Sequence, residues 1–196
     1  AMRHAVRDIQ TLRQLVVYLF SNVGNLVSAN SMTGMFGIKS VTTFLEYFSY
    51  LSDAYLVAFA PQFSWSAKAR ARNPKKIYAI DTGFVTEAAT LFTDNFGARF
   101  ENLIFLHLRR KYSDIYYFRE KQECDFVTFS KNKPMEIVQA CYQIDDMNFD
   151  REFQGITHAL KYFKMDLGTI VTLSQKETFH KDGMNIHIVP AHEYLV

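Results

Sequence analysis

The sequence predicts a mixed α/β (α+β) protein built in two parts. Its first eighty residues contain three helical stretches and then two short apolar runs separated by a basic segment. After this point the pattern changes to a helix, three strands, a second helix and two more strands. With 48% apolar and 15% aromatic residues, the 196-residue chain can bury a substantial core, which excludes a disordered protein.

The first part, residues 8–80, follows the order of a winged helix-turn-helix. Apolar residues three or four positions apart predict helices over residues 9–25 and 31–36. A third helix is expected to begin after Ser40 and to bury one stripe of side chains, namely Val41, Leu45, Phe48, Leu51 and Tyr55. Two predicted strands then enclose the basic segment, and three short helices before such a hairpin are typical of a winged helix.

The basic segment lies between predicted strands at residues 55–63 and 76–80. Its cations are Lys68, Arg70, Arg72, Lys75 and Lys76, five charges within nine residues of a chain whose net charge is only +2. The first three alternate with alanine, so on a strand they would share one face. Such clusters bind phosphate, and we therefore expect double-stranded DNA as a partner. The alternative is a solvated wing that contacts protein instead.

The third helix would be the one that reads DNA. We expect its outer side to contact the duplex through Lys39, Thr42 and Thr43, with Glu46 beside them.

The second part, residues 81–196, is predicted to have the αβββαβ order of a restriction-endonuclease-like domain. The predicted elements are a helix over 98–112, strands over 115–118, 124–129 and 135–140, a helix over 150–163, and strands over 169–173 and 185–189. This is the order of the PD-(D/E)xK nuclease core. In such cores carboxylates bind a divalent metal that activates water, and a lysine stabilises charge near the scissile phosphate.

The catalytic motif of such a core is incomplete in this chain. Glu101 lies on the inward stripe of its helix, and Asp125 opens an apolar strand where a motif aspartate is expected. The E-x-K positions, however, hold Ile137, Val138 and Gln139. Gln139 is thus the candidate in place of the lysine, and it carries no charge.

Metal binding and catalysis depend on the two remaining carboxylates. Glu101 and Asp125 could hold one Mg²⁺ or Mn²⁺ weakly, and a purely structural role, such as pairing with Arg119, is the alternative. Glu136 is one position from the motif, so on a regular strand it points to the opposite face. We therefore expect a protein that is not a working nuclease, and the chain has no Walker motif that would bind ATP.

Several other classes are excluded by the sequence. The two cysteines, Cys124 and Cys141, form no CxxC pair or Cys/His cluster, which excludes a zinc finger. The chain contains neither an apolar run of membrane-spanning length nor a secretory signal, so we expect a cytoplasmic protein without a membrane partner.

Five segments point to a family. They are, in order, NPKKIYAIDTGF, GARFENLIFLHLRRK, ECDFVTF, IVQACY and REFQGITHAL. Together they resemble the C-terminal half of a large group of prokaryotic AAA-type P-loop ATPases, a region called domain of unknown function 4143. The resemblance extends over about residues 8–196. It implies a winged helix followed by a nuclease-like domain, with an ATPase domain as a partner in cis or in trans.

The resemblance also assigns individual positions. Asp81 and Gly83 match the family's D-T-G turn, Glu101 matches its F-E-N helix, and Asp125 matches the aspartate of its E-V-D-F strand. The segment IVQACY departs from the E-V-K that many members keep. It resembles a subset with Q-V-C-Y, which implies a non-catalytic lineage.

Three functions therefore stay open at the level of the sequence. The first is a non-catalytic DNA-binding module, and the second is a metal-dependent nuclease that uses Glu101 and Asp125. The third is a protein-interaction scaffold, since 11 Tyr and 18 Phe permit an apolar surface that contacts the ATPase domain or a second copy of the chain.

Overall fold

A computed structural model describes residues 8–38, 40–89 and 95–196, and the chain folds into two compact units. The first unit comprises Ala1–Ala60 with Asn73–Asp94, and the second comprises Pro61–Arg72 with Asn95–Val196. The units differ from the predicted domains in their bounds, because the basic segment up to Arg72 groups with the second unit. Among the described residues, no helix combines the length and apolar character needed to cross a membrane.

The described elements follow one another along the chain in a mixed α/β order. They are α1 (Ile9–Ser21), β1 (Leu26–Val27), α2 (Ala29–Phe36), α3 (Val41–Asp53), β2 (Val57–Pro61), α4 (Ala67–Arg72), β3 (Lys75–Ala79), α5 (Thr82–Ala89), α6 (Phe96–Lys111), β4 (Asp114–Arg119), β5 (Glu123–Ser130), β6 (Lys133–Ala140), α7 (Phe149–Phe163), β7 (Leu167–Thr172), β8 (Glu177–Lys181), β9 (Met184–Pro190) and α8 (Ala191–Tyr194).

The first unit combines helices with a small sheet whose strand order is β1-β3-β2. Strand β1 runs antiparallel to β3, with Leu26 opposite Lys76. As predicted, Ser40 caps α3, and its hydroxyl accepts a hydrogen bond from the Thr43 amide at 3.3 Å. Helix α2 ends at Gly37, whose φ of 69° is the left-handed conformation that glycine adopts without strain.

The buried face of α3 agrees only in part with the predicted stripe, because Phe48 and Leu51 are buried whereas Tyr55 is 70% exposed. Its core side chains are Phe44, Tyr47, Phe48 and Leu51, whereas Leu45 is 52% exposed and Val41 is also exposed. Both sets have helical spacing, so periodicity alone did not distinguish them. The face with three aromatic rings is buried because aromatic side chains remove the larger apolar area from water.

The basic segment, predicted as the tip of a hairpin between two strands, contains a short helix. Helix α4 covers Ala67–Arg72, and the Ser66 hydroxyl accepts a hydrogen bond from the Ala69 amide at 3.3 Å. Alanine, lysine and arginine are strong helix formers, and an N-cap serine precedes them, so local preference favours the helix. Lys68, Arg70 and Arg72 therefore do not share the one face that they would share on a strand.

The second unit is built on a six-stranded sheet with the order β4-β5-β6-β7-β9-β8. Strands β4, β5 and β6 form an antiparallel meander, whereas β6, β7 and β9 run parallel. Strand β8 pairs antiparallel with β9 at the edge. Helix α7 packs on β5, β6 and β7. As predicted, it buries Phe153, Ile156 and Leu160 in the core of this unit.

Candidate functional site

The paired strands β5 and β6 bring two of the predicted site residues together. Phe126 lies opposite Val138 in the ladder, which makes Asp125 and Gln139 cross-strand neighbours. The backbone amide of Asp125 donates to Oε1 of Gln139 at 3.1 Å. The predicted juxtaposition of a strand aspartate with the residue in the lysine position is therefore present.

The carboxylate of Asp125 is buried and hydrogen-bonded to the neighbouring strand β6. Its side chain is only 6% exposed, and Oδ2 accepts a hydrogen bond from the Ala140 amide at 3.0 Å. A buried carboxylate needs such partners, because its charge has lost the solvation of water. The contact fixes the carboxylate against the backbone of β6.

Gln139 also forms a hydrogen bond with helix α7. Its Nε2 donates to Oε2 of Glu152 at 2.6 Å. Glu152 is 4% exposed, and its other oxygen accepts from Nη2 and Nε of Arg151 at 2.5 and 2.9 Å. The hydrogen bond and charge of Glu152 raise the pKa of Arg151. We call this connected set, Asp125, Gln139, Glu152 and Arg151, the polar chain.

A glycine lets α7 approach the strands closely enough for the polar chain to form. A Cβ added to Gly155 would lie 2.2 Å from the carbonyl oxygen of Glu123 and 3.8 Å from Oε1 of Gln139. No real side chain fits at the first of these distances. The helix therefore contacts β5 through its backbone at this position.

Cys141 lies at the end of β6, near the same charges. Burial raises the pKa of Cys141 to about 12, and the negative charge of Glu152 acts in the same direction. The thiol consequently stays protonated at neutral pH, and it lacks the thiolate character of a nucleophile.

The other predicted carboxylate, Glu101, lies on α6. It is half-buried and precedes the fully buried Asn102. In the part of the chain that the structure describes, no group of three or more His, Cys, Asp and Glu side chains has the arrangement of a metal site.

Glu136 points away from the polar chain, as its strand position predicts. Its Oε1 accepts from the Tyr112 hydroxyl at 2.5 Å, and its Oε2 accepts from the Tyr194 hydroxyl at 3.0 Å. Burial, followed by the hydrogen bond to Glu136, raises the pKa of Tyr112 to about 12. Burial and the same carboxylate raise the pKa of Tyr194. Glu136 therefore anchors α8 instead of replacing the missing motif glutamate.

The cations of the basic segment differ in their surroundings. Lys68 and Arg72 are exposed and lie four positions apart on α4, so they share one side of the helix. Arg70 is half-buried, and its Nη1 donates to the carbonyl oxygen of Ser64. Lys75 is half-buried, whereas Lys76 is only 3% exposed within β3. Burial of Lys76 does not fit its predicted role in binding phosphate.

The predicted reading helix offers little positive charge. On α3, Thr42 is exposed and Thr43 is half-buried, while Lys39 lies outside the described residues. The charged residues of α3 itself are Glu46 and Asp53. An acidic helix is poorly suited to contact with phosphates.

Glu152 is a site residue that sequence reasoning missed. It lies four positions before Ile156 and eight before Leu160, so it stands on the predicted buried stripe of α7. A carboxylate on such a stripe needs a buried partner, and this requirement was the available signal.

Comparison with known proteins gives a family profile and two relatives. The profile described as Domain of unknown function (DUF8612) matches residues 1–95. The chain is 30% identical over 203 residues to Uncharacterized protein MJ1544 of Methanocaldococcus jannaschii, covering 99% of this chain and 44% of that protein. It is 27% identical over 191 residues to an uncharacterized protein of Haemophilus influenzae, covering 95% and 46% respectively. The chain thus spans less than half the length of these relatives, and no solved structure matches it.

Proposed function

We propose that this chain is a non-catalytic DNA-binding module that combines a winged helix with a nuclease-like core. The order α1-β1-α2-α3-β2-α4-β3, with α4 in the connection between the last two strands, and the sheet order β1-β3-β2 support the winged helix. The order α6-β4-β5-β6-α7-β7, with an antiparallel meander next to parallel strands, supports the restriction-endonuclease-like core. One fold can carry many functions, so the function of this chain depends on its exposed and buried side chains.

The observation that carries DNA binding is the exposed pair of cations on α4. Lys68 and Arg72 lie on the same side of this helix. The sequence has no acidic residue between Asp53 and Asp81, so no carboxylate within this stretch neutralises them. Phosphate contacts of this kind give affinity without base specificity.

The polar chain supports a module that does not cut DNA. A nuclease of this type needs a cationic group near the scissile phosphate. Here Gln139 is neutral, and its amide is already hydrogen-bonded to Glu152 and to the backbone of Asp125. Gln139, at the position where a nuclease would stabilise the scissile phosphate, is instead hydrogen-bonded to α7.

The partner of such a module is proposed from the family resemblance and from the length of the relatives. Both relatives are more than twice as long as the stretch that matches this chain. An ATPase domain that acts on the module, in cis or in trans, is the partner that the resemblance implies.

A protein contact through α3 is the second candidate function. Val41 and Leu45 are exposed, lie four positions apart and are flanked by Glu46. This mixture of apolar and acidic side chains suits a protein surface better than a phosphate backbone. The change Leu45→Glu should abolish self-association in sedimentation velocity if the partner is a second copy. If the chain is monomeric throughout, the homodimer form of this candidate is wrong.

The DNA-binding proposal is tested by fluorescence anisotropy with a labelled duplex at several salt concentrations. Replacing Lys68 and Arg72 by alanine should weaken binding and reduce the slope of log affinity against log salt by about 2. The matched control replaces Lys121 and Lys133, exposed cations in the β4–β5–β6 meander, and removes the same charge. Equal effects of the two double variants would contradict a specific role for α4.

A further inference from the structure

Trp65 is the only tryptophan of the chain, and it is 68% exposed. It lies two positions before α4, in the second unit. A side chain of this size is usually largely buried, because its apolar area is unfavourable in water. Its exposure beside a basic helix therefore calls for an explanation.

The ring of Trp65 is held by the aromatic core of its unit. It meets Phe63 edge-on, with ring centroids 5.0 Å apart and an interplanar angle of 84°. Phe63 is buried and stacks on Phe129 at 5.1 Å. The contact holds the indole against the core of this unit, while Trp65 as a whole stays 68% exposed.

The backbone around Trp65 is also fixed by hydrogen bonds. The Ser66 amide donates to the Ser64 hydroxyl at 3.2 Å, and Arg70 donates to the Ser64 carbonyl oxygen. Arg70 is thus a positioning residue that ties α4 to the turn carrying the indole. A ligand that binds a pre-organised ring loses less conformational entropy than one that must order a loop.

The positive charges close to Trp65 in the sequence indicate which kind of ligand the site would bind. Lys68 follows Trp65 by three positions and Arg72 by seven, and both are exposed. A flat aromatic face beside cations complements a flat base attached to phosphate. Bases inside a duplex are stacked on one another, so an unpaired base offers its face more readily than a paired one.

We propose that Trp65 is a stacking site for an unpaired nucleobase, with Lys68 and Arg72 binding the adjoining phosphates. The site rests on the proposed DNA binding and deepens it: the module prefers DNA with a single-stranded end or junction to a blunt duplex. The stacked base contributes affinity regardless of its identity, because every base has an aromatic face.

The test compares a short blunt duplex with the same duplex carrying a thymidine overhang. Trp65 is the only tryptophan, so its intrinsic fluorescence reports directly on the site. We expect the overhang to quench this emission and to bind at least about fivefold more tightly, the ratio that one stacked base provides. The blunt duplex should leave the emission nearly unchanged.

Variants separate stacking from other effects of the substitution. Trp65→Leu should bind the two probes with equal affinity in the anisotropy assay, whereas Trp65→Phe should keep part of the preference because it keeps a flat ring. The control Phe96→Leu removes another exposed aromatic ring of the same unit and should keep the full preference.

The outcomes distinguish the two proposals. Equal binding of both probes by the unaltered chain, with unchanged emission, would overturn the stacking site and leave DNA binding in place. A preference that survives Trp65→Leu would also overturn it. Failure of both probes to bind at low salt would overturn both proposals.

Discussion

Gln139 and Glu152 form a buried hydrogen bond of 2.6 Å that joins strand β6 to helix α7. In the nuclease-like core that we propose, a catalytically active member would hold a lysine directed at phosphate at the first of these positions. Here the neutral amide receives one hydrogen bond, from the Asp125 backbone, and donates another, to Glu152. A position expected to be catalytic is therefore part of the buried core of this unit. The contribution of this hydrogen bond to stability can be measured.

Removing the amide should destabilise the fold. Gln139→Ala leaves the Asp125 amide and Oε2 of Glu152 without this partner, and an unsatisfied buried polar group costs about 1–3 kcal/mol. We expect that decrease in the free energy of unfolding, measured by urea denaturation. Gln154→Ala, an exposed glutamine on the same helix, is the control and should change stability by less than about 0.5 kcal/mol. Equal effects would show that the buried bond is not stabilising.

The close approach of α7 to the sheet makes Gly155 sensitive to a single methyl group. Gly155→Ala places its Cβ 2.2 Å from the Glu123 carbonyl oxygen, so the helix must shift. Overpacking of this kind costs about 1–3 kcal/mol, and we expect a lower melting temperature in calorimetry. In contrast, Gly34 on α2 has no atom within 4 Å of the added Cβ. Gly34→Ala should stabilise its helix by roughly 0.5–1 kcal/mol, so the two variants should shift stability in opposite directions.

The hydrogen bonds that Tyr112 and Tyr194 donate to Glu136 predict that stability depends on pH in the alkaline range. The pKa of Tyr112 is about 12 in the folded chain, above the usual value of 10.0. The unfolded chain therefore loses this proton at a lower pH than the folded chain does. The stability linked to it is fully present below about pH 10 and is lost as pH rises toward 12.

Tyr112→Phe tests this linkage. We expect about 1 kcal/mol less stability at pH 7, because the hydrogen bond to Glu136 is lost. Above pH 10 the stability of the variant should fall less steeply than that of the unaltered chain, as measured by urea denaturation at successive pH values. Part of the fall should persist, since the pKa of Tyr194 is raised as well. If the stability of the two proteins fell equally with pH above 10, Tyr112 would not be the group responsible.

Much of the fold could be predicted where one pattern dominates. Helix α7 has a single apolar stripe, and its bounds and buried residues were close to those observed. The predicted face of α3 was only partly right, because two sets of side chains that share Phe48 and Leu51 have helical spacing. Helix α4 was not predicted, because alternation of alanine with cations is compatible with a helix as well as with an extended segment. Strand β8 was missed because it is mostly exposed and has no alternating apolar pattern.

The candidate site could be predicted only where it depends on local geometry. Strand parity correctly separated Glu136 from Gln139, because it depends on local geometry alone. The partnership of Gln139 with Glu152 joins residues from a strand and a helix, and it depends on how closely Gly155 lets these elements approach. Such a contact belongs to tertiary packing.

The most direct test of the central claim is to incubate the full chain with end-labelled duplex DNA in Mn²⁺ and to measure binding and probe length in the same samples. We expect a complex whose affinity falls with salt and with the loss of Lys68 and Arg72, together with a probe of unchanged length. If the probe were shortened by the unaltered chain but not by Asp125→Asn, the claim would be contradicted, because the chain would then be a nuclease. Absence of any complex at low salt would contradict it equally, because DNA binding itself would then be lost.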